Sequence, residues 1–224
     1  MLMTRMAATC MKMYFETDND FSAFKEELRR RLESRPNRDL EESGLKHSAV
    51  MMLLMNRDNA PHVLLTRRTD TVSTHKGQVA FPGGAMDDHD DDYRSVAYRE
   101  TWEEVGIPRE KIEYIGRFDD YISISGFHVT CFVGAIEYPY ESTLSRGEIE
   151  SIIDAPLAMF VDQKYDRYEI YNYKGNDYRV FFYYHRGYEI WGLTARILTD
   201  FGEKICRDQE SGSDNSCGDG STSG

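Results

Sequence analysis

The sequence is poor in cysteine, and its four cysteines are not arranged in pairs. Cys10, Cys131, Cys206 and Cys217 are scattered without a CxxC spacing, so neither a disulfide framework nor a zinc site is indicated. Cys131 lies in an apolar strand candidate, where a buried and reduced thiol is the expected state. The cysteine pattern therefore predicts a reducing, cytoplasmic compartment.

Basic residues are a minority, and long apolar runs are missing. The 224 residues include 39 acidic and 27 basic side chains, which gives a net charge of −12. This balance argues against binding of nucleic acid or of an anionic membrane through a general electrostatic field. No apolar run approaches the length of a spanning helix, so an integral membrane protein is excluded. An anionic substrate must then be attracted by local cations or by a bound metal.

Length and composition predict one catalytic domain between two appendages. With 40% apolar residues, the chain can build one domain with a substantial core, which we place at residues 18–207. Residues 1–17 contain five methionines and are predicted to form a flexible leader, with a mitochondrial targeting peptide as the alternative. Residues 208–224 are rich in serine and glycine and predict a disordered tail. A homodimer is one assembly that this composition allows.

The most informative segment runs from Gly83 to Ile107, where a glycine turn and an acidic loop precede a helical pattern. At about 100° per residue, Glu103 and Glu104 fall on either side of Glu100, so three carboxylates share one helical face. Such like charges repel unless divalent cations neutralise them, and carboxylates with substrate phosphates are the usual ligands of Mg²⁺. The alternative is an amphipathic helix whose acids face water.

The opposite face of this helix is predicted to pack on a sheet. Tyr98, Trp102 and Val105 cluster about half a turn away from Glu100. Gly106 follows as a predicted C-cap, which places the carboxylates in the last turns of the helix.

This segment resembles the Nudix box. Phe81–Gly84 is similar to its opening turn, and Arg99–Ile107, which reads RETWEEVGI, is similar to its second half. The chain has one residue more between Gly84 and Arg99 than the usual box, and Asp91 stands where glutamate is usual. Asp91 is therefore a candidate outer metal ligand. The extra residue is typical of one branch of the family, the coenzyme A pyrophosphatases.

The signature of that branch lies just upstream. Leu64–Arg68 and Gly77–Gly84 match it at the right spacing, whereas Ser73 replaces an arginine, for which His75 or Lys76 could compensate. Three downstream stretches also resemble the branch: Gly126–Thr130, Glu148–Ile149 and Trp191–Ala195. The likeness therefore covers about residues 45–205.

The resemblance implies an α/β fold, the Nudix-type α/β/α sandwich with a central mixed sheet. It also implies metal-dependent hydrolysis of the diphosphate of coenzyme A or its thioesters to 3′,5′-ADP and 4′-phosphopantetheine or the acyl form. Mg²⁺ or Mn²⁺ would be held by the Gly84 backbone carbonyl together with Glu100, Glu103 and Glu104. The expected partner is a small-molecule nucleotide substrate.

Diphosphate hydrolysis needs neutralised phosphate oxygens, a water in line with the scissile bond and a base for its proton. By its position in the family, Glu148 is a candidate base, with Glu103 as the internal alternative. The alternative for Glu148 itself is a surface acid. Arg99 is expected to orient a helix glutamate by ion pairing.

A ligand with an additional 3′-phosphate requires cations outside the metal cluster. Arg67, Arg68 and Lys76 form the nearest basic group in the sequence and are candidate substrate-binding residues. Their alternative is a solvated strand edge and loop.

Two other functions stay open at this point. The first is a Nudix enzyme for another nucleoside diphosphate derivative, such as ADP-ribose or a dinucleoside polyphosphate, which the missing cation at Ser73 favours. The second is a binding or regulatory module with a catalytically idle Nudix fold, whose expected mark is loss of a box glutamate. All three glutamates are present in this chain.

Outside the box, periodicity predicts further helices and hairpins. A helix is expected over Asp20–Leu32, capped by Asp18 or Asn19, and an amphipathic helix over Glu189–Cys206. Hairpins and strands are predicted by apolar runs between turn residues. They are Ala49–Met55 with His62–Thr66, Ile112–Phe118, Phe127–Ile136, and Tyr168–Tyr173 with Tyr178–Tyr184.

Overall fold

Helices and strands alternate along the chain and build an α/β domain. The structure, a computed structural model, describes residues 11–40, 44–71, 76–173 and 175–207. In chain order the elements are α1 (Asp18–Glu33), β1 (Lys46–Arg57), β2 (Ala60–Arg68), β3 (Val79–Ala80), β4 (Gly83–Ala85), α2 (Tyr93–Val105), β5 (Glu113–Ile122), β6 (Phe127–Ala135), β7 (Ile149–Pro156), α3 (Ala158–Val161), β8 (Arg167–Tyr173), β9 (Asn176–His185), β10 (Tyr188–Trp191) and α4 (Gly192–Phe201).

Strand β1 lies in the middle of the central sheet because both of its faces are apolar. Met51, Leu53 and Met55 belong to one core cluster, which α2 covers. Met52 and Leu54 belong to the other cluster, which α1 and α4 cover. A strand that is buried on both faces needs a continuous apolar run rather than an alternating one. The predicted α/β/α sandwich with a central mixed sheet is confirmed.

The sheet is mixed because β1 pairs antiparallel with β2 and parallel with β6. The strand order is β3-β2-β1-β6-β5, with β4 beside β1 and β7 beside β2. The predicted first hairpin is confirmed, and it turns at Asp58 and Asn59, whose φ angles of 53° and 59° suit residues that tolerate the left-handed region. Pairing of β4 with β1 sets Gly84 opposite Ala49. The glycine turn therefore starts from a strand of the rigid core.

Strands β8, β9 and β10 form a second, smaller sheet in the order β10-β9-β8. Its β8–β9 hairpin confirms the second predicted hairpin, but β10 shows that the predicted helix Glu189–Cys206 starts too early. Ile190 is fully buried and pairs with Tyr183 of β9. Helix α4 begins directly after this strand at Gly192, which has a φ of 65°. A short apolar run fits a strand as well as a helix, and strand pairing decided between them.

The N-terminal boundary of the domain lies before the predicted residue 18. Phe15 is fully buried and packs against Phe24 of α1 with ring centroids 5.5 Å apart. Residues 11–17, which were assigned to the leader, are therefore part of the folded domain. Residues 1–10 and the predicted tail 208–224 lie outside the described residues.

The cap of α1 also differs from the prediction. The helix starts at Asp18 and is capped by Thr17 rather than by Asp18 or Asn19. The Asp20 carboxylate accepts the Thr17 N–H at 3.2 Å. This reciprocal capping box satisfies donors at the helix start and moves the cap one residue upstream.

Two further expectations concern cysteine and membranes. Cys131 and Cys206 are both buried, and burial raises the pKa of Cys131 well above its usual value. Buried Cys131 is as predicted, whereas Cys10 and Cys217 lie outside the described residues. Within the described ranges, no helix combines the length and the apolarity that a bilayer crossing requires.

Candidate active site

Helix α2 carries the candidate site and is fixed at both ends. The Asp92 carboxylate accepts the Ser95 N–H at 2.7 Å and caps its start. Gly106 ends it in the left-handed region with a φ of 72°, and the Gly106 N–H donates to Trp102 O at 2.9 Å. The predicted C-cap is confirmed, so the glutamates occupy the last two turns.

The buried face of α2 differs from the prediction at one position. Tyr98 and Val105 are buried as predicted, but 56% of Trp102 is exposed. Thr101 takes its place in the buried stripe, where its hydroxyl donates to Ala97 O at 2.7 Å. The apolar pattern did not indicate burial of Thr101, because threonine counts as polar. A threonine whose hydroxyl is hydrogen-bonded inside its own helix can nevertheless be buried like an apolar residue.

The three predicted metal-binding glutamates differ in exposure. Only 3% of Glu104 is exposed, Glu100 is half-buried, and 54% of the Glu103 side chain is exposed. An ideal Cβ on Gly84 would overlap the Glu100 carboxylate. The absence of a side chain therefore lets the backbone of the glycine turn lie directly against Glu100.

Glu104 carries the most unusual electrostatics of the site. Its Oε2 is buried without a hydrogen-bond partner among the described residues, and its Oε1 lies 3.4 Å from Arg68 Nη1. Burial, followed by the charge of Glu100, raises the pKa of Glu104 to about 8. A buried carboxylate with an unpaired oxygen beside a second carboxylate is costly by itself. A divalent cation would remove that cost, so these oxygens and the Gly84 backbone fit a metal.

Arg99 lies among the acids. Its Nη1 lies 2.8 Å from Glu100 Oε1 and 3.0 Å from Glu103 Oε2. Across the described ranges, no three acidic, histidine or cysteine side chains are already placed to hold one metal ion together. The guanidinium, rather than a carboxylate cage, organises these side chains in the structure.

Asp90 is a site residue that the sequence prediction missed. Its two carboxylate oxygens accept from Arg99 Nε and Nη2 at 3.0 Å each, and hydrogen bonding to Arg99 lowers the pKa of Asp90. Asp91, which was predicted as a metal ligand, is exposed. The resemblance placed Asp91 at the position of the usual glutamate, but it is the neighbouring Asp90 that contacts Arg99.

The predicted substrate cations are not gathered at one place. Arg68 contacts Glu104 from the end of β2, whereas Arg67 forms an ion pair with Glu150. Lys76 is exposed on the turn before β3. Ser73, which replaces the arginine of the branch, and His75, one of the two residues predicted to compensate for it, lie outside the described residues.

Glu148 lies close to the glutamates of α2. Burial raises the pKa of both Glu100 and Glu104, and the negative charge of Glu148 raises both further. The Glu148 carbonyl accepts the Thr69 N–H at 2.8 Å, which fixes its backbone to the end of β2. The exposed Glu148 side chain therefore stands at the solvent side of the same acidic site.

Comparison with known proteins decides the family. The family model for the NUDIX domain matches residues 45–159. These residues include the glycine turn, α2 and Glu148. The chain belongs to the Nudix family. It is 36% identical over 174 residues to "Uncharacterized Nudix hydrolase NudL" of Cronobacter sakazakii, covering 76% of this chain and 88% of that protein. The protein of the same name from Klebsiella pneumoniae is 37% identical over 161 residues, covering 71% and 83%.

Solved Nudix structures show weaker similarity. An Ap4A hydrolase from C. elegans has a TM-score of 0.44 and 19% identity, covering 53% of this chain and 85% of that chain. The NUDIX domain of Shewanella oneidensis NrtR, solved with ADP ribose, has a TM-score of 0.44 and 18% identity, covering 54% and 79%. Likeness of this degree carries no information about the substrate. The family and its hydrolase relatives establish the chain as a Nudix diphosphatase, a hydrolase of phosphoanhydride bonds.

An open cavity adjoins the glycine turn of this Nudix site. Its volume is about 590 Å³. Its lining includes Ala85, Met86 and Asp90 together with Lys46 and His47 of β1. The cavity therefore provides space next to the Arg99–Asp90 pair for part of a ligand.

Replacement of Asp90 is expected to reduce turnover, although Asp90 does not touch the reacting atoms. Asp90→Asn removes one charged partner of Arg99, which then holds Glu100 less firmly. Loss of a residue that supports a metal ligand costs about 10–100-fold in affinity or activity. We expect a fall of that order in kcat/KM, measured with a diphosphate substrate and Mn²⁺. Asp91→Asn is the matched control and should match wild type, and equal activities of the two variants would contradict the role.

The raised pKa of Glu104 predicts how metal-free protein responds to pH. Because the folded-state pKa of about 8 exceeds the usual 4.5, the folded protein binds this proton more tightly than the unfolded chain does. The stabilising contribution is therefore present below the unfolded pKa and is lost as pH rises through the folded pKa. In EDTA, we expect the urea midpoint to fall more steeply from about pH 5 to about pH 9 in wild type than in Glu104→Gln. Urea midpoints that fall equally with pH in wild type and in Glu104→Gln would refute this prediction.

Proposed function

We propose that this Nudix enzyme hydrolyses the diphosphate of coenzyme A or its thioesters with Mg²⁺ or Mn²⁺. The products are 3′,5′-ADP and 4′-phosphopantetheine or its acyl form. The observation that carries the metal-dependent chemistry is the buried Glu104 carboxylate with its unpartnered oxygen, together with Glu100, whose carboxylate lies against Gly84. The choice of substrate is supported by the branch signature Leu64–Gly84.

The site residues divide the work of diphosphate hydrolysis. Glu100, Glu104 and the Gly84 carbonyl would hold the metal, with Glu103 at the exposed side of the group. The chemistry that a bound metal would supply is neutralisation of the diphosphate oxygens and a lower pKa of the attacking water. Arg99 keeps Glu100 in position through its own fixed contacts.

Glu148 is the base that accepts the proton of the attacking water. The alternative, Glu103, is held by Arg99 at 3.0 Å, which makes its oxygens less available. In the described part of the chain, no cation forms an ion pair with the Glu148 side chain, and its charge acts on both buried glutamates. A free carboxylate beside the metal ligands is suited to proton transfer from water.

Arg68 and Lys76 are the cations assigned to the substrate phosphates. Arg68 is half-buried, and its Nε is buried without a partner among the described residues. It therefore has an N–H to offer an anion close to Glu104. Arg67 is engaged by Glu150 and contributes less than the sequence alone predicted.

Product identification tests the proposed substrate. The protein is incubated separately with coenzyme A, acetyl coenzyme A and ADP-ribose, with Mg²⁺ or Mn²⁺, and the products are identified by mass spectrometry. We expect 3′,5′-ADP from both coenzyme A compounds and little AMP from ADP-ribose. Rapid cleavage of ADP-ribose with coenzyme A intact would refute the substrate.

A second candidate is hydrolysis of another nucleoside diphosphate derivative such as ADP-ribose. It is favoured by Ser73 in place of the arginine of the branch and by the engagement of Arg67 with Glu150. Fewer free cations suit a ligand without a 3′-phosphate. The same parallel assays separate the two substrates, and tight ligand binding without hydrolysis of any diphosphate would identify an idle module instead.

A further inference from the structure

The loop that carries Glu148 is fastened to the C-terminal end of α2 by backbone hydrogen bonds. The Thr143 N–H donates to Val105 O at 2.9 Å, and the Ser145 N–H donates to Glu104 O at 3.1 Å. Carbonyls in the last turn of a helix have no partner within that helix. The loop supplies these partners, and one of the carbonyls that it binds belongs to the proposed metal ligand Glu104.

The same loop fixes the backbone of Glu148. The Ser145 carbonyl accepts the N–H groups of Glu148 and Ile149 at 2.8 Å each. Ser145 thus binds Glu104 with its N–H and Glu148 with its carbonyl. A single residue therefore connects the backbones of the proposed metal ligand and the proposed base.

Gly106 allows the loop to lie this close to the helix. An ideal Cβ on Gly106 would lie 2.8 Å from Thr143 N and 2.9 Å from Thr143 O. A Cβ atom essentially never lies this close to a non-bonded backbone atom. The backbone of Thr143 also cannot change rotamer to relieve the contact, as the end of a flexible side chain can. Any side chain at this position must push the loop away from the helix end.

We propose that Gly106 is a positioning residue for Glu148, an inference that rests on the proposed role of Glu148 as base. Without a side chain at 106, Thr143 reaches Val105 O, and Ser145 then sets Glu148 relative to Glu104. A side chain shifts the loop and the base together. Glu100 and Glu104 keep their places, because they belong to helical turns that are packed on the sheet.

Gly106→Ala tests this with a matched control. Gly187, in the turn between β9 and β10, also has a left-handed φ of 90° but no atom within 4 Å of an ideal Cβ. Both alanine variants carry the conformational cost of that region, whereas the first alone meets the loop. Misplacement of a catalytic group by about 1 Å can lower the reaction rate about 100-fold. We therefore expect the kcat of Gly106→Ala to fall about 10–100-fold. The kcat of Gly187→Ala should stay within about twofold of wild type.

Mn²⁺ affinity, measured by electron paramagnetic resonance, separates positioning from general damage. We expect Gly106→Ala to bind Mn²⁺ like wild type while kcat falls. Gly106→Asn carries the same Cβ on a residue type that tolerates the left-handed region better, so it keeps the contact if the alanine variant folds poorly. Wild-type kcat in a folded Gly106→Asn, or equal loss of kcat in Gly187→Ala, would overturn the proposal.

A double-mutant cycle with Glu148→Gln decides the mechanism. If Gly106 acts through the base, Gly106→Ala should lower kcat by less than about twofold in the Glu148→Gln background. Full additivity of the two losses would overturn the positioning role while leaving the base intact. Wild-type activity of Glu148→Gln alone would instead reject the proposed base, and with it this inference, without rejecting the metal site.

Discussion

Glu104→Gln is expected to lose at least about 100-fold in metal-stimulated kcat, because a metal contributes several kcal/mol of charge stabilisation. The amide is nearly isosteric with the carboxylate but carries no charge for a cation. Glu104 is also the most deeply buried of the three box glutamates, so water cannot readily replace it in the proposed metal site. The loss should therefore exceed that of Glu103→Gln, whose side chain is exposed.

The measurement is steady-state hydrolysis across a Mn²⁺ titration, with circular dichroism to verify the fold. Glu110→Gln is the control, since Glu110 is an exposed acid of the turn that follows α2. We expect its activity to equal that of wild type. Wild-type turnover in Glu104→Gln at saturating Mn²⁺ would remove Glu104 from the metal site.

Asp119→Asn is expected to destabilise the fold by about 3 kcal/mol, the lower end of the range for breaking a buried ion pair. Asp119 is fully buried and forms an ion pair with Arg35. It forms a second ion pair with Lys204, whose Nζ lies 2.8 Å from Asp119 Oδ2. Its carboxylate also accepts the Arg38 N–H at 3.0 Å. The lower end applies because both cationic partners are partly exposed.

The pH dependence of this effect has a definite sign. Burial alone would raise the pKa of Asp119, but hydrogen bonds from Lys204, Arg35 and the Arg38 backbone hold it below its usual value. The ionised carboxylate therefore stabilises the fold above its unfolded pKa, and that contribution is lost as pH falls through the folded pKa. The difference in the free energy of unfolding between wild type and Asp119→Asn should therefore become smaller at acidic pH.

Urea unfolding at several pH values measures both effects. The control is Asp162→Asn, because Asp162 also pairs with a lysine, Lys164 at 2.8 Å, but both side chains are largely exposed. An exposed pair contributes at most about 1 kcal/mol. Equal loss of stability in the two variants would show that burial of Asp119 does not matter.

The sequence predicted those features of the site that depend on local spacing. Helical periodicity placed the glutamates on α2, and the glycine after Val105 predicted where the helix ends. Periodicity could not rank the glutamates. Glu104 is buried and contacts Arg68 of β2, which is distant in the chain, whereas Glu103 pairs with Arg99 of its own helix and stays exposed.

Two errors have the same origin. Trp102 was assigned to the packed face because it is apolar, although Thr101 is the buried residue and Trp102 is exposed. The strand Tyr188–Trp191 was read as helix because its apolar spacing suits both structures, and only the neighbouring strand Asn176–His185 resolves the ambiguity. In both cases the apolar pattern alone did not show which residues pack against neighbouring elements.

The parallel pairing of β1 with β6 constrains when the site can form during synthesis. The whole box has left the ribosome once residue 107 is free, but β1 then lacks its neighbour, which comes from Phe127–Ala135. Helix α2 can pack only on the strands that precede it in the chain until β6 has been synthesised. A nascent chain stalled before β6 would therefore contain every box acid and still have no stable platform on which to organise them.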